Sequence, residues 1–533
     1  MYDLVLKNGK IIDGTGNPWF HADVGILNGK IQNIGQICED SASTLDVRNL
    51  VVCPGFIDIH SHSDISTLVD PKAESKVMQG VTTEVIGNCG LSPAPMRPGI
   101  QEHLKQQFFP PEFEWNWPNY IDFIATHEKH PSSVNIAPLI GHGALRAAVL
   151  GLENRAPTKE ELEKMKNLLS ECLDAGVFGL STGLVYTPAC FAKTNEIIEL
   201  ARLLTKENRL YTTHIRGEGA NRINAVNEAL QIGREAGIRV QLSHHKAAGI
   251  ENWGKVNVTL ELIENARISG IDATCDVYPY SASSTGLDIC LPPWVREGGT
   301  EKMLERIKNE NTRIQVKKEM ESNKMQGFWA SPLQTVGWER IVIAVANNEE
   351  NSSIEGRNIA EISESREKSP FDVFIEILTS ENGNVPCIYH EMCEEDVKTV
   401  MCHPTAMIGS DGIALSPKGI LGNHKPHPRS YGTFPRVLAK FVREEKLLQL
   451  EQAIRKTTSF PAQKLGLRDR GMLLKGFCAD VLVFDPYEIQ DTATFEEPAQ
   501  FPRGVNYVIV NGVVVVSEGR HTGATPGNLL RAD

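Results

Sequence analysis

The chain has 533 residues, 41% of them hydrophobic and 23% charged, with a formal net charge of -13 at pH 7. That length exceeds one ordinary core and calls for a large domain with a smaller one. The acidic balance excludes a partner read through a basic face, such as a nucleic-acid backbone, but leaves room for an anionic small substrate in a local pocket of opposite sign.

Residues 1–20 lack a charged segment followed by an apolar core, and no apolar run approaches the roughly 18 residues that span a bilayer. The eleven cysteines form no C-x-x-C unit, which suits free thiols in a reducing compartment. A cytoplasmic protein without membrane attachment is expected.

In chain order, residues 3–12 read as strand, Asn8-Gly9 turn, strand, and residues 22–34 repeat that scheme around Asn28-Gly29. Asn-Gly between apolar runs is a strong hairpin signal because both residues tolerate positive φ. Short apolar runs then alternate with helical patterns, which implies βαβ units and a parallel sheet. The strands are Gly55–His60, Val81–Ile86, Val134–Ile140, Val177–Ser181, Leu210–His214, Arg239–His244, Asp272–Tyr278 and Met407–Asp411. Amphipathic helices are clearest at Lys159–Ala175, Glu196–Glu207, Ala220–Ala236 and Val256–Ser269.

Roughly 130 residues separate the last two strands and include the charged, helix-prone stretch Glu301–Lys324. Such excess suggests a lid inserted at about 285–350. Ala479–Phe484 reads as one more strand, and Tyr507–Val516 as a hairpin around Asn511-Gly512. The expected fold is α/β: a (β/α)8 barrel over residues 54–468, with a small β-sandwich from both termini, residues 1–53 and 469–533.

His60-Ser61-His62 ends the first barrel strand, where residues i and i+2 point to the same side. Cys89 follows the second strand, and His214, His244 and Asp411 end the fifth, sixth and eighth. Active sites of such barrels gather at the carboxyl ends of the strands, and six donors there are hard to explain by core packing. His245 competes with His244 as the inward imidazole, whereas His142, after the third strand, reads as a packing or outer residue. No Gly-x-Ser-x-Gly elbow appears, which disfavours a serine nucleophile.

The string Gly55-Phe56-Ile57-Asp58-Ile59-His60-Ser61-His62-Ser63-Asp64 resembles the first-strand signature of the metal-dependent amidohydrolase superfamily. With Gly87-Asn88-Cys89-Gly90, Thr213-His214-Ile215-Arg216 and Ser243-His244-His245-Lys246, the chain is similar to the N-acyl-D-amino-acid deacylase (D-aminoacylase) branch. Asp276-Val277-Tyr278-Pro279-Tyr280 and Gly409-Ser410-Asp411-Gly412 complete the set. The resemblance implies a zinc-dependent hydrolase that cleaves N-acyl-D-amino acids to a carboxylate and a free D-amino acid.

A soft thiolate with two imidazoles is a good zinc set that leaves a fourth position open. Cys89, His214 and His244 are accordingly assigned to a tight zinc site. The resemblance places His60, His62 and Asp411 at a second, weaker or empty one. Many superfamily members bridge two metals through a modified lysine, but neither Val134–Ile140 nor Val177–Ser181 contains one, so Cys89 takes that place. Asp411 is also the expected proton carrier between water and the departing amine.

The substrate of such an enzyme carries a free carboxylate, which calls for arginine or lysine. The resemblance places Lys246, Tyr278 and Arg429 around it, with Ser284 adding a hydroxyl. Handedness follows from the resemblance alone. The competing readings are a cyclic amidase or ureidohydrolase of the hydantoinase or dihydroorotase type, and a scaffold that keeps the barrel without catalysis. The former usually needs the absent lysine, and the latter would have lost metal ligands.

Overall fold

The computed structural model describes every residue except 98, 109, 111–112, 323–326, 423 and 533. One nine-stranded sheet is assembled from both ends of the chain. Its seam is Val51–Pro54 paired antiparallel with Val481–Phe484. Alternation along Val481–Phe484 divides its side chains: Val481 and Val483 pack with Leu4, Ile26 and Val52, while Leu482 and Phe484 join the large central core. That two-sided burial is what a near-continuous apolar strand requires.

Asn28-Gly29 and Asn511-Gly512 make two-residue hairpin turns, each with both residues at positive φ. Asn8-Gly9 does not. Tyr2–Ile11 is one strand whose register shifts between Leu6 and Gly9. A left-handed Asn8 (φ 65) serves a bulge as well as a turn, and partners wait on both sides of it: Leu4–Leu6 pair with Val24–Ile26, and Lys10 and Ile11 with Val51 and Val52.

The middle of the chain contains parallel strands. Phe56–Asp58, Val81–Ile86 and Asn135–Pro138 form one sheet. Ile140–Gly141, Gly179–Gly183, Leu210–His214, Arg239–Leu242, Ala273–Val277 and Ala406–Ile408 form another, each beside the next. The outermost members approach through a parallel bridge between Ser61 and Gly412. Alternate strand residues again separate: Leu180, Leu242 and Val277 share a core with helix residues Leu169, Val226 and Ile263, whereas Ile57, Val85, Ala137, Leu210 and Met407 form a cluster of their own.

The four amphipathic patterns fold as helices Lys159–Asp174, Thr194–Ala201 (continued by a 3-10 turn to Glu207), Arg222–Ala236 and Val256–Ile268. The first begins at a capping box, with Thr158 and Glu161 satisfying each other's backbone N–H.

Between Ala273–Val277 and Ala406–Ile408, Ser283–Gly286, Ile341–Ile343 and Pro386–Tyr389 form a small antiparallel sheet. Helices Gly299–Lys308, Glu310–Met320 and Pro370–Ser380 pack on a separate core that includes Leu287, Val295, Met303, Phe374 and Tyr389. Positions 323 and 324 of the charged stretch lie outside the described residues. Among the described residues, no helix is long and apolar enough to cross a membrane.

Candidate active site

The segment after the first parallel strand is zipped to the turn after the last. Asp411 N donates to His60 O at 2.7 Å, and His62 N donates to Gly412 O at 2.9 Å. The ring centroids of His60 and His62 lie 5.4 Å apart. Behind them Lys76, fully buried, donates to Asp58 and to Ser410 Oγ at 2.8 Å each, and Asp58 accepts from Ser410 N.

Cys89, His244 and Asp411 have left-handed backbones, with φ of 54°, 36° and 51°. Each lies two or three residues past the end of its strand. Positive φ is uncommon for such side chains, and its clustering is typical of functional sites. Gly87 and Gly90 make room around Cys89. A Cβ on Gly87 would stand 2.0 Å from Leu139 O, and one on Gly90 2.6 Å from Gly183 N.

The turned side chains converge. Cys89 Sγ is 3.3 Å from His60 Nε2 and 3.6 Å from His244 Nε2. His244 Nε2 is 2.9 Å from His214 Nδ1. Asp411 Oδ1 is 3.0 Å from His62 Nε2 and 3.3 Å from His60 Nε2. His60, Cys89, His244 and Asp411 bring one donor atom each within 4.8 Å of one another, and all four are buried. All six sequence-predicted donors are therefore contiguous, although this grouping cuts across the expected division into two sets.

The donor set fits zinc on two further grounds. The outer nitrogens of two imidazoles are tied to carboxylates, His60 Nδ1 to Asp276 at 3.1 Å and His244 Nδ1 to Glu218 at 2.9 Å, which is how metal-binding histidines are oriented. The electrostatics point the same way. Burial alone would raise the Cys89 thiol, yet the His60 charge and hydrogen bonds from His214, His244 and His60 hold it well below its usual range. Burial opposes ionisation of Asp411 too, but Arg429 and the surrounding imidazoles keep its carboxyl well below normal. Conversely, burial would depress His62, yet Asp411 and Cys89 lift it to about 9. Anionic sulfur and oxygen beside the raised imidazoles of His60, His62 and His244 mark a place where a cation's charge belongs.

His245 turns away: its Nε2 meets Thr259 Oγ1 at 2.8 Å, and burial takes its pKa down to about 3. His142 lies outside the cluster, held by Glu196 at 3.0 Å.

The cluster opens into a cavity of about 680 Å³, whose walls include Lys246, Ser284 and Arg429 and, from the inserted segment, Ile289, Arg296 and Trp329. The Arg429 guanidinium carbon lies 4.9 Å over the Tyr278 ring and Lys246 Nζ 5.8 Å over it. Lys246, Tyr278 and Arg429 are thus brought together. Each cation is already engaged, Arg429 with Asp411 Oδ2 at 2.7 Å and Lys246 with Glu218 Oε1 at 2.5 Å. Ser284 presents its carbonyl to Arg429 Nη2 at 3.3 Å.

The profile of the Amidohydrolase family matches residues 43–274 and 395–516, the two stretches that carry all six candidate donors together with Glu218, Lys246 and Arg429. The chain belongs to the amidohydrolase family. This amidohydrolase is 36% identical over 533 residues to D-aminoacylase of Alcaligenes xylosoxydans xylosoxydans, covering 99% of its own length and 97% of that protein. Among solved structures it is similar to N-acyl-D-glutamate deacylase from Bordetella bronchiseptica, complexed with zinc and a phosphonate mimic of the tetrahedral intermediate. The TM-score is 0.83 and the identity 34%, over the whole of both chains. A D-aminoacylase structure concerned with the role of its binuclear metal centre gives a TM-score of 0.82, 34% identity and full coverage of both chains.

Sequence reasoning missed the carboxylates of this amidohydrolase that hold the outer nitrogens. Glu218 follows His214 by four residues, and Asp276 sits within the quoted Asp276-Val277-Tyr278 string. Only that spacing could have drawn attention to Glu218.

Proposed function

We propose that this amidohydrolase hydrolyses the amide bond of N-acyl-D-amino acids with zinc, releasing a carboxylate and a free D-amino acid. The observation that carries the reading is the buried thiolate–imidazole–carboxylate cluster opening into a cavity beside a Lys246–Tyr278–Arg429 group. Similarity to D-aminoacylase over the full chain supports the substrate class and its handedness.

Cys89, His214 and His244 would hold the tightly bound zinc, and His60, His62 and Asp411 a second, weaker one. Zinc held there supplies a Lewis acid that polarises the scissile carbonyl and makes water nucleophilic near neutral pH. Asp411, ionised at neutral pH, accepts the proton that water releases and returns it to the departing amine nitrogen. Arg429 and Lys246 clamp the substrate carboxylate over Tyr278, which fixes the scissile amide against Asp411. The inserted segment, residues 285–350, excludes bulk water from that pocket as a lid.

The parallel strands, with Asn135–Pro138 and Ile140–Gly141 taken as two pieces of one, are read as a closed (β/α)8 barrel over residues 54–468. The Ser61–Gly412 bridge and the paired neighbours on either side support closure. Residues 1–53 and 469–533 form the small β-sandwich. Eleven unpaired thiols support a cytoplasmic setting.

The deciding experiment is release of free amino acid from N-acetylated D- and L-amino acids, with and without a zinc chelator. Cleavage confined to the D series, lost with chelator and restored by zinc, is expected. Inactivity on both series alongside opening of hydantoins or dihydroorotate would replace this reading with a cyclic amidase.

A further inference from the structure

Glu218 belongs neither to the proposed ligand set nor to the proposed carboxylate clamp, yet it touches both. Its Oε1 lies 2.9 Å from His244 Nδ1 and 2.5 Å from Lys246 Nζ, and its Oε2 3.7 Å from His214 Nε2. His214, Glu218 and His244 bring donor atoms within 4.8 Å of one another, as a second metal group would. The Lys246 ammonium already stands there, 2.5 Å from the carboxylate and 2.8 Å from His244 Nδ1. The chain supplies its own cation at that point.

Proton accounting decides what the group does. Lysine has donors only, and a neutral imidazole has one donor and one acceptor. His244 Nε2 faces Cys89 and His214, the side on which a metal needs its lone pair. Nδ1 must then carry the hydrogen. It cannot accept from Lys246 in that state, so both N–H groups point to Glu218. The loop carrying Glu218 is fastened at both ends: Ala248 N donates to Glu218 O at 2.9 Å, and Arg216 is locked onto Glu228 at 2.9 Å.

We infer that Glu218 is a positioning residue that sets the tautomer of His244 for zinc and, through the same carboxylate oxygen, holds Lys246 toward the substrate carboxylate. The Lys246 half rests on the deacylase reading; the His244 half does not.

The test uses Glu218→Gln in the full chain, with zinc affinity read by competition against a chromogenic chelator. KM and kcat are read at saturating zinc for an N-acetyl-D-amino acid and for the matching N-acetylamine without a carboxylate. Zinc affinity should fall about 10–100-fold. KM for the carboxylate substrate should rise at least about 10-fold, while the carboxylate-free amide keeps its KM. Lys246→Met should reproduce the KM change and leave zinc affinity intact. If Glu218→Gln does not fold, Glu218→Asp, one methylene short, carries the same readouts. Zinc affinity or carboxylate-dependent KM unchanged within about two-fold in the variant overturns the inference. A wild type that holds zinc yet leaves N-acetyl-D-amino acids intact removes the deacylase reading, and the zinc competition then decides alone.

Discussion

Arg429 Nη1 lies 2.7 Å from Asp411 Oδ2, so the proposed substrate clamp and the proposed proton carrier are one ion pair before substrate arrives. Burial would raise the Asp411 carboxyl, and Arg429 leads the charges that hold it well below the usual range. An Asp411 that must accept a proton loses activity as pH falls through its pKa. Removing the guanidinium raises that pKa, so the acid limb of the kcat profile moves to higher pH. Arg429→Met should show this shift together with a KM increase of at least about 10-fold for carboxylate substrates. An unmoved acid limb would separate Asp411 from the proton transfer.

The Cys89 thiol, held as thiolate by its imidazole neighbours, should react quickly with alkylating agents in zinc-free protein, since the thiolate is the nucleophile. Zinc should protect it. Cys53, Cys275 and Cys387 are buried and pushed up by desolvation, so they should stay inert, while exposed Cys38 and Cys402 report the background. Peptide mapping after timed alkylation reads the order. Cys89→Ser should weaken zinc binding by more than the roughly 10–100-fold expected for loss of an outer partner.

The strands Val81–Ile86 and Leu210–His214 were legible to the residue, because a short apolar run bounded by turn signals is a local property. The candidate donors were legible for the same reason, each standing near the end of such a run. Strand alternation, however, does not bring them together. Arg239–Leu242 and Ala406–Ile408 stop short of His244 and Asp411, and a left-handed residue swings each side chain inward. No sequence pattern announces positive φ at a histidine. At Asn8-Gly9 the left-handed Asn8 was foreseeable, but Gly9 does not take positive φ and the strand's second partner was not foreseeable. The seam between Val51–Pro54 and Val481–Phe484 joins residues some 430 positions apart, a pairing that depends on everything folded between them. Glu218 acquires its role only when Lys246, 28 positions away, arrives beside it.

Lys76 stands between Asp58 and Glu84, at 2.8 and 3.0 Å, with all three side chains fully buried. Lys76→Met leaves two buried carboxylates uncompensated and should cost about 3–5 kcal/mol of stability, read from urea unfolding. The same lysine donates to Ser410 Oγ, which accepts from Gly412 N at 2.9 Å. The turn carrying Asp411 should loosen with it, and kcat should fall in whatever fraction still folds. Adding Glu84→Gln to Lys76→Met removes one of the stranded charges and should recover part of the stability. A double variant no more stable than the single would place the damage elsewhere.

His127, which is not among the candidate metal donors, supplies a further pH dependence. Buried against the Phe123 ring, with its Nε2 3.2 Å from Asp64 O, it is taken from 6.5 down to about 4, chiefly by desolvation. A histidine whose folded pKa is lowered is protonated first in the unfolded chain. Stability is therefore full above pH 6.5 and falls progressively as the pH drops from 6.5 to 4. By pH 5 the loss from this group is about 2 kcal/mol. His127→Gln removes it. The variant should be less stable than wild type at pH 7.5, having lost packing against Phe123, and the gap should narrow or reverse by about 2 kcal/mol at pH 5. Zinc release on acidification weakens both proteins alike, so the difference between their urea midpoints isolates His127. A gap that stays constant between the two pH values would mean that His127 is protonated in the folded protein and finds an acceptor on acidification.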